Sequence, residues 1–160
     1  MITLYHIARM LGGIVLSTDN WSEKITGFWT ICGDVGDYGM IQNLLKGDEL
    51  YEIAEYLGVP QEIIDARPDD GLGVTTGGDE GQLGAPYTVV DKVMISLMSR
   101  GFDPDGDMSQ LHNLPAVEGV PEEVVSKLAN RSLANSYKRR TINLTREQLG
   151  LPAVTDITKA

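Results

Sequence analysis

Apolar residues recur at helical spacing in five segments of this chain, and one short run is apolar throughout. The first segment, residues 2–11, has a single apolar face and is followed by a helix-ending glycine, Gly12. The same spacing predicts four further helices, at about 21–30, 48–57, 87–99 and from about 121 into the 130s. The run Ile14-Val15-Leu16 predicts a strand that is buried on both faces, as in a parallel sheet.

Helix–strand–helix order is typical of α/β proteins, but strands are scarce here. Only Tyr38–Gln42 and Thr141–Leu144 are additional, weaker strand candidates. A lone parallel strand would leave backbone groups unpaired on both edges. We therefore expect a helix-rich α/β fold with an incomplete parallel sheet. Its other strands come from these candidates, from another segment or from another chain.

Length and composition indicate one globular unit over residues 1–160. The chain has 160 residues, of which 42% are hydrophobic and 22% charged, which fits a single ordinary core. Its one cysteine, Cys32, excludes a disulfide scaffold. The net charge of −10 argues against broad nucleic-acid or membrane-surface binding. Because neither a secretion signal nor a membrane-spanning run is recognisable, a cytoplasmic location is expected.

The charge is unevenly distributed along the chain. Residues 127–146, which we call the basic strip, contain six of the 13 basic residues and no acid. Such a strip suits a phosphorylated small molecule or pyrophosphate. It equally suits cations that stabilise the C-terminal end of a helix, and both interpretations remain open.

Two loops invite functional interpretation. Residues 71–84 contain six glycines, which fits either a mobile lid over a ligand or a plain flexible loop. Residues 103–107, Asp-Pro-Asp-Gly-Asp, have calcium-loop composition, but the glycine is at position 4 rather than 6. We therefore expect no calcium site there.

The segment Ser17–Glu23 follows the predicted strand and leads into a helix, which is where α/β proteins bind ligands. Thr18 could donate a hydrogen bond to a phosphate, and Glu23 could hold a magnesium ion. The alternative is structural, because Asn20 followed by Glu23 three residues later is a capping box. Spacing alone favours the capping interpretation.

This segment and Thr26–Asp34 resemble two motifs of ammonia-dependent NAD synthetase, G-T-x-N/H-x-x-E and T/L-G-Y/F-x-T-K-Y-G-D. Further segments resemble that family in the same order, namely Tyr51–Pro60, Arg67–Leu72, Asp79–Gly84 and Lys138-Arg139. The resemblance covers about residues 1–140 and rests on the order and spacing of the motifs. The tail at 141–160 matches nothing and has no assigned role.

The resemblance implies part of a Rossmann-like layer of the adenine nucleotide alpha hydrolase-like type, and a homodimer. It also implies a reaction in which ATP adenylates deamido-NAD, pyrophosphate leaves and ammonia forms the amide. By this resemblance Thr18 and Lys46 would contact ATP, and Glu23 would bind Mg²⁺. Asp34 and Lys138 would contact deamido-NAD.

The sequence also departs from the family pattern. The S-G-G-x-D-S phosphate loop of the family's N-terminal half does not occur in this sequence. We therefore expect a C-terminal half that is active only with an N-terminal half, which is either part of a longer chain or a separate polypeptide. Position 47, where the family has a phosphate-contacting lysine, is glycine, and Lys46 precedes it. Substitutions at motif positions are Ile31, Gly47, Asp69, Gln82 and Tyr137. They favour the alternative of a non-catalytic nucleotide-binding or assembly module.

Overall fold

The structure, a computed structural model, describes residues 1–31, 33, 36–69, 71, 77–139 and 150. The α-helices are α1 (Ile2–Leu11), α2 (Trp21–Thr26), α3 (Glu49–Tyr56), α4 (Gln61–Ile64), α5 (Gly78–Leu83), α6 (Tyr87–Ser99) and α7 (Glu122–Ala134). The strands are β1 (Leu16–Ser17) and β2 (Tyr38–Gly39), and 3-10 helices span Met108–Asn113 and Ser136–Arg139.

The hydrophobic core lies among helices α2, α6 and α7. Its fully or almost fully buried members include Ile25, Leu83, Tyr87, Val90, Val93, Met94, Leu97, Val125, Leu128, Ala129 and Leu133. Burying each large side chain of this kind stabilises a fold by about 1.5–3 kcal/mol. The helical layer therefore provides the rigid support on which the loops are placed.

The described sheet has two parallel strands, with Leu16 opposite Tyr38 and Ser17 opposite Gly39. The strand predicted at Tyr38–Gln42 is thus confirmed only for its first two residues. The candidate at Thr141–Leu144 lies outside the described residues. A helix-rich α/β fold with an incomplete parallel sheet is the architecture expected from the sequence.

The prediction of a strand at 14–16 that is buried on both faces is wrong. The strand begins at Leu16, and exposure alternates along this segment. Val15 and Ser17 are buried, whereas Ile14 is 61% exposed and Leu16 52% exposed. The physical reason is that one face of β1 has no covering layer within the described part of the chain.

The predicted helices are confirmed, apart from the end of the second. α2 stops at Thr26 instead of residue 30, because Gly27 takes the left-handed conformation and its N–H bonds to the carbonyls of Glu23 and Lys24. The short helix α4, which follows Pro60, was not predicted. No helix in the described part of the chain has the length and apolar character needed to cross a bilayer.

The glycine-rich segment 71–84, predicted as a loop, contains helix α5. Gly78 has φ 59°, and a Cβ at this position would lie 2.4 Å from the Pro68 carbonyl oxygen. Glycine is therefore required where α5 approaches the turn at 67–69. Leu83 is fully buried and joins α5 to the core. Residues 72–76 lie outside the described residues, so the lid stays a prediction.

Candidate functional site

An open cleft of about 640 Å³ lies at the carboxyl end of β1 and beside the N-terminus of α2. It is lined by Thr18, Asp19, Glu23, Phe28, Trp29, Thr30, Lys46, Arg67, Pro68, Asp69 and Asp79. This is the edge of a parallel sheet at which α/β proteins bind ligands. Three of the five site residues predicted from the sequence, Thr18, Glu23 and Lys46, are brought together here.

The N-terminus of α2 contains the capping box predicted from the sequence. The Glu23 N–H donates to Asn20 Oδ1, and the Asn20 N–H donates to Glu23 Oε2, both at 3.0 Å. Burial raises the pKa of Glu23, and nearby Lys46 partly opposes this effect. Glu23 therefore has a structural role through one carboxylate oxygen while its side chain also lines the cleft. The capping and ligand-binding interpretations are compatible.

Lys46 reaches the cleft because the backbone around it is held by α2 and α6. The Lys46 N–H donates to Ser22 Oγ at 2.9 Å, and the Gly47 N–H donates to Asp91 Oδ2 at 2.8 Å. The buried Ser22 side chain also hydrogen-bonds Asp91. A Cβ at position 47 would lie 2.7 Å from Asp91 Oδ2 and 2.8 Å from Thr88 Cα. Position 47 has no room for a side chain, so Lys46 presents the cation instead.

Tyr87 connects this cation to α5. The Lys46 Nζ lies 5.7 Å from the centroid of the Tyr87 ring, within cation–π range. The Tyr87 hydroxyl donates to Asp79 Oδ2 at 3.3 Å. Burial and the neighbouring carboxylates raise the pKa of Tyr87, so the hydroxyl remains a proton donor. Asp79 and Lys46 are thus placed by one buried aromatic residue of α6.

Acidic side chains outnumber basic ones in the cleft. The lining acids are Asp19, Glu23, Asp69 and Asp79, and the lining bases are Lys46 and Arg67. Asp19 is 5% exposed; its Oδ2 accepts from Gln42 Nε2 at 2.7 Å, but Oδ1 is buried without a hydrogen-bond partner in the described structure. An unsatisfied buried polar atom costs about 1–3 kcal/mol, so a cation would be stabilised beside it.

No group of three or more His, Cys, Asp or Glu residues is arranged to hold a metal ion in the described part of the chain. A preformed cage is not required for magnesium, which is usually bound by one or two carboxylates together with waters and substrate phosphates. The donor set around Glu23 and Asp19 therefore fits an ion that arrives with a nucleotide.

A family model for NAD synthase matches residues 1–142. The chain belongs to the NAD synthase family. It is similar to the NH(3)-dependent NAD(+) synthetase of Pyrococcus furiosus, with 34% identity over 143 residues, covering 88% of this chain and 51% of that protein. The NH(3)-dependent NAD(+) synthetase of Methanopyrus kandleri is 35% identical over 141 residues, which cover 88% of this chain and 49% of that protein. The chain thus spans about half the length of the curated relatives it matches.

Two solved structures have the same fold as this NAD synthase family member. NMN synthetase from Francisella tularensis matches with a TM-score of 0.68 and 26% identity, covering 90% of this chain and 51% of that one. NH3-dependent NAD synthetase from Campylobacter jejuni matches with a TM-score of 0.62 and 23% identity, and the match covers 91% of this chain and 51% of that one. The predicted fold class, a helix-rich part of the adenine nucleotide alpha hydrolase-like fold, is confirmed.

Of the two residues predicted to bind the substrate, Lys138 is not among the described residues that line the cleft of this NAD synthase chain. The Lys138 Nζ donates to the carbonyls of Gly27 at 2.9 Å and Trp29 at 2.6 Å, beyond the C-terminal end of α2. Asp34 lies outside the described residues. The role of both residues in substrate binding stays a prediction.

The described part of the basic strip makes structural contacts. Arg139 donates to the Ile25 carbonyl at 3.0 Å and forms an ion pair with Asp105 at 2.9 Å. The Arg131 guanidinium lies 4.7 Å from the centroid of the Phe28 ring. These cations surround the C-terminal end of α2, where the carbonyls carry partial negative charge. The structural interpretation of the strip is therefore favoured. The helix end that these cations stabilise is that of α2, and not that of α7, to which the first residues of the strip belong.

Sequence reasoning did not select Asp19, Arg67 or Asp79 as site residues. Asp19 adjoins Thr18 at the end of the strand, and the other two lie inside segments that resemble family motifs, so a signal was present. Asp91 was missed as the residue that holds the Lys46 loop. Its signal was an acid beside the apolar face of α6, where a charged side chain needs a buried polar partner.

Proposed function

We propose that this chain supplies one half of a NAD synthetase and contributes residues to its ATP- and magnesium-binding site. The whole enzyme would amidate the carboxylate of deamido-NAD with ammonia at the expense of ATP. The observation that carries this proposal is the gathering of Thr18, Glu23 and Lys46 in one cleft of a chain that belongs to the NAD synthase family. Because the chain spans half of its relatives, we propose that it is inactive alone and needs the remainder of the fold.

Thr18 and Lys46 would bind the phosphates of ATP. The exposed Thr18 hydroxyl can donate to a phosphate oxygen, and the Lys46 ammonium can neutralise charge that develops on the leaving pyrophosphate. The network of Ser22, Asp91 and Tyr87 supports this role, because it fixes Lys46 before any ligand arrives. Such preorganisation lowers the cost of orienting a charge during reaction.

Glu23 would hold the Mg²⁺ ion, and the unpartnered oxygen of Asp19 supports a second contact. When bound, the ion neutralises phosphate charge in the adenylation step. The four carboxylates of the cleft support an obligatory ion, because ATP phosphates would otherwise face more anionic than cationic side chains. Asp34 and Lys138 are proposed contacts for deamido-NAD, and a homodimer is proposed for the assembled enzyme.

A non-catalytic nucleotide-binding or assembly module is the second candidate function. Asp69 favours it, because it replaces a Ser or Thr of the family motif and adds a carboxylate to the cleft. The same substitution weakens the attraction of the cleft for phosphate. This candidate predicts nucleotide binding without formation of an amide.

Reconstitution tests the proposal. The 160-residue chain is incubated with ATP, Mg²⁺, ammonium and deamido-NAD. The incubation is run with and without the portion of the Pyrococcus furiosus relative that lies outside the matched region. We expect NAD, quantified by chromatography, only in the complete mixture. Nicotinic acid mononucleotide in place of deamido-NAD tests whether NMN is formed instead, since an NMN synthetase has the same fold.

The controls separate the two candidate functions. Lys46→Met should abolish product formation, whereas Lys24→Met, a neighbouring lysine that does not line the cleft, should leave it unchanged. If the complete mixture binds ATP and deamido-NAD in calorimetry but forms no amide, the enzyme proposal fails and the binding module is supported.

A further inference from the structure

Arg67 is one of the two cations that line the cleft, and neither the sequence motifs nor the proposed function gives it a role. Its side chain is exposed, and its Nη2 donates a hydrogen bond to the Gly77 carbonyl. Within the described residues the other N–H groups of this guanidinium have no partner. Because a guanidinium has five N–H donors, most of the hydrogen-bonding capacity of Arg67 is available to a ligand.

The position of Arg67 is fixed by the attachment of its turn to α5. The Asp79 N–H donates to the Pro68 carbonyl at 3.1 Å, so α5 is joined directly to the turn at 67–69. A Cβ on Gly78 would lie 3.2 Å from Arg67 Nε, so the guanidinium lies against the backbone at the start of α5. A cation that is held in place before its ligand arrives loses less freedom on binding than a mobile side chain does.

The charge of Arg67 is not neutralised by an ion pair in the part of the chain that the structure describes. The carboxylate of Asp69 is close, since its Oδ2 would lie 3.5 Å from the same Cβ on Gly78. Asp69 Oδ1, however, accepts from the Gly71 N–H at 2.7 Å. The two charges are therefore neighbours without a salt bridge, and an anion in the cleft would be attracted by Arg67 and repelled by Asp69.

Arg139 shows how a structural arginine is bound in this chain. Its side chain is 6% exposed, and its three nitrogens donate to Asp105 and to backbone carbonyls that include those of Ile25 and Ser132. Arg67 differs in both respects, since it is exposed and makes one hydrogen bond. That bond leaves one complete pair of parallel N–H groups, the arrangement that binds two oxygens of a phosphate or carboxylate.

We propose that Arg67 binds a phosphate group of a nucleotide substrate through this pair of N–H groups. The inference rests on the proposed function, since it takes the cleft as the nucleotide site. Phosphate is favoured over carboxylate because Thr18 and Lys46, a hydroxyl and an ammonium that suit phosphate oxygens, line the same cleft. The phosphate can belong to ATP or to deamido-NAD, and the experiment separates these two sources.

Calorimetry tests the contact, with the 160-residue chain by itself and together with the portion of the Pyrococcus furiosus relative outside the matched region. ATP and deamido-NAD are titrated separately in the presence of Mg²⁺. Arg67→Met should weaken the binding of at least one of them at least tenfold, and the nucleotide that loses affinity carries the contacted phosphate. Arg100→Met is the matched control and should change either affinity less than twofold. Arg100 is also exposed and donates to one carbonyl, that of Ala116, but it does not line the cleft.

Two measurements separate a phosphate contact from the structural contact with Gly77. Binding is compared at low and high salt, and the affinity of the wild type should fall more steeply with salt than that of Arg67→Met, because salt screens an ionic contact. Arg67→Lys, which retains the charge and an N–H donor, should recover part of the affinity that Arg67→Met loses. A purely structural role would leave the salt dependence unchanged.

The outcomes distinguish this contact from the proposed function. If ATP and deamido-NAD bind and Arg67 is required, but no amide forms, the contact stands and the enzyme proposal fails. If NAD forms and Arg67→Met binds both nucleotides like the wild type, the enzyme proposal stands and the contact is overturned. It is also overturned if the wild type binds neither nucleotide in either preparation, or if Arg67→Met loses affinity with the salt dependence of the wild type.

Discussion

Glu23→Gln separates the two roles that Glu23 combines, the capping of α2 and the proposed binding of Mg²⁺. Glutamine retains an acceptor oxygen and serves at this position of a capping box, but it lacks the negative charge that a magnesium ligand provides. Glu23→Ala removes both functions. Comparing the two variants assigns each loss to a separate physical cause.

The magnitude follows from the burial of Asn20. Asn20 is 1% exposed, so its N–H, which donates to Glu23 at 3.0 Å, has no water to bond when the acceptor is removed. Leaving a buried donor unpaired costs about 1–3 kcal/mol. For a chain of this length a loss of about 1–3 kcal/mol lowers the melting temperature by about 2–12 °C. We expect this loss for Glu23→Ala and little or no loss for Glu23→Gln.

The pH dependence has a definite sign. Burial raises the pKa of Glu23 in the folded chain, so the folded state binds this proton more tightly than the unfolded state does. The contribution of Glu23 to stability is therefore greatest at acid pH and is lost as the pH rises through its folded-state pKa. Relative to the wild type, Glu23→Gln should be favoured at neutral pH, and this advantage should shrink as the pH falls.

Thermal unfolding followed by circular dichroism between pH 4 and 7 measures stability, and calorimetry with and without Mg²⁺ measures ATP binding. The binding is measured for the chain alone and with its complementing portion. Glu23→Gln should weaken Mg²⁺-dependent ATP binding at least tenfold, whereas Glu52→Gln, at an exposed acid of α3, should not. If Glu23→Gln is as destabilising as Glu23→Ala, the capping argument fails. If it binds Mg²⁺-ATP like the wild type, Glu23 is not a metal ligand.

Three further predictions concern the loop that presents Lys46. Gly47→Ala should destabilise the chain by about 1–3 kcal/mol, because the added Cβ would lie 2.7 Å from Asp91 and 2.8 Å from Thr88; an unchanged urea midpoint would contradict this. Asp91→Ala removes the acceptor of the Gly47 N–H, so it should lower both the urea midpoint and the ATP affinity, although Asp91 does not line the cleft. Lys46→Met should weaken Mg²⁺-ATP binding at least tenfold with an unchanged melting temperature. If the variant binds Mg²⁺-ATP as tightly as the wild type, Lys46 does not belong to the site.

The helices could be predicted wherever local pattern and packing agree. α6 runs over 87–99 as expected, since its apolar spacing coincides with the buried side of the core and Pro86 precedes it. α2 was predicted too long because apolar residues continue beyond Gly27, so the apolar spacing outweighed the helix-ending signal of this glycine. The exposure of β1 could not be predicted, because it depends on whether another layer covers the sheet.

The candidate site was predictable only in part, for a similar reason. Thr18 and Glu23 follow from the rule that ligands bind at the carboxyl ends of strands, and the cleft lies there. Two hydrogen bonds fix the loop that carries Lys46, one to α2 and one to α6. They join residues that are separated by 24 and by 44 positions in the sequence. Nothing in a local pattern encodes such a pairing, so the role of Asp91 in holding the Lys46 loop was found only in the structure.

Lys46 and Asp69 affect the charge balance of the cleft in opposite directions. Alignment with the family motif places glycine where a phosphate-contacting lysine is expected, which looks like the loss of a cation. In the structure, α6 lies so close to Gly47 that this position has no space for a side chain. Lys46, the preceding residue, lines the cleft. Asp69 has no such compensation, since it adds a carboxylate to the same cleft. Of the departures from the family, Asp69 is therefore the one that bears most directly on whether ATP is bound strongly enough to react.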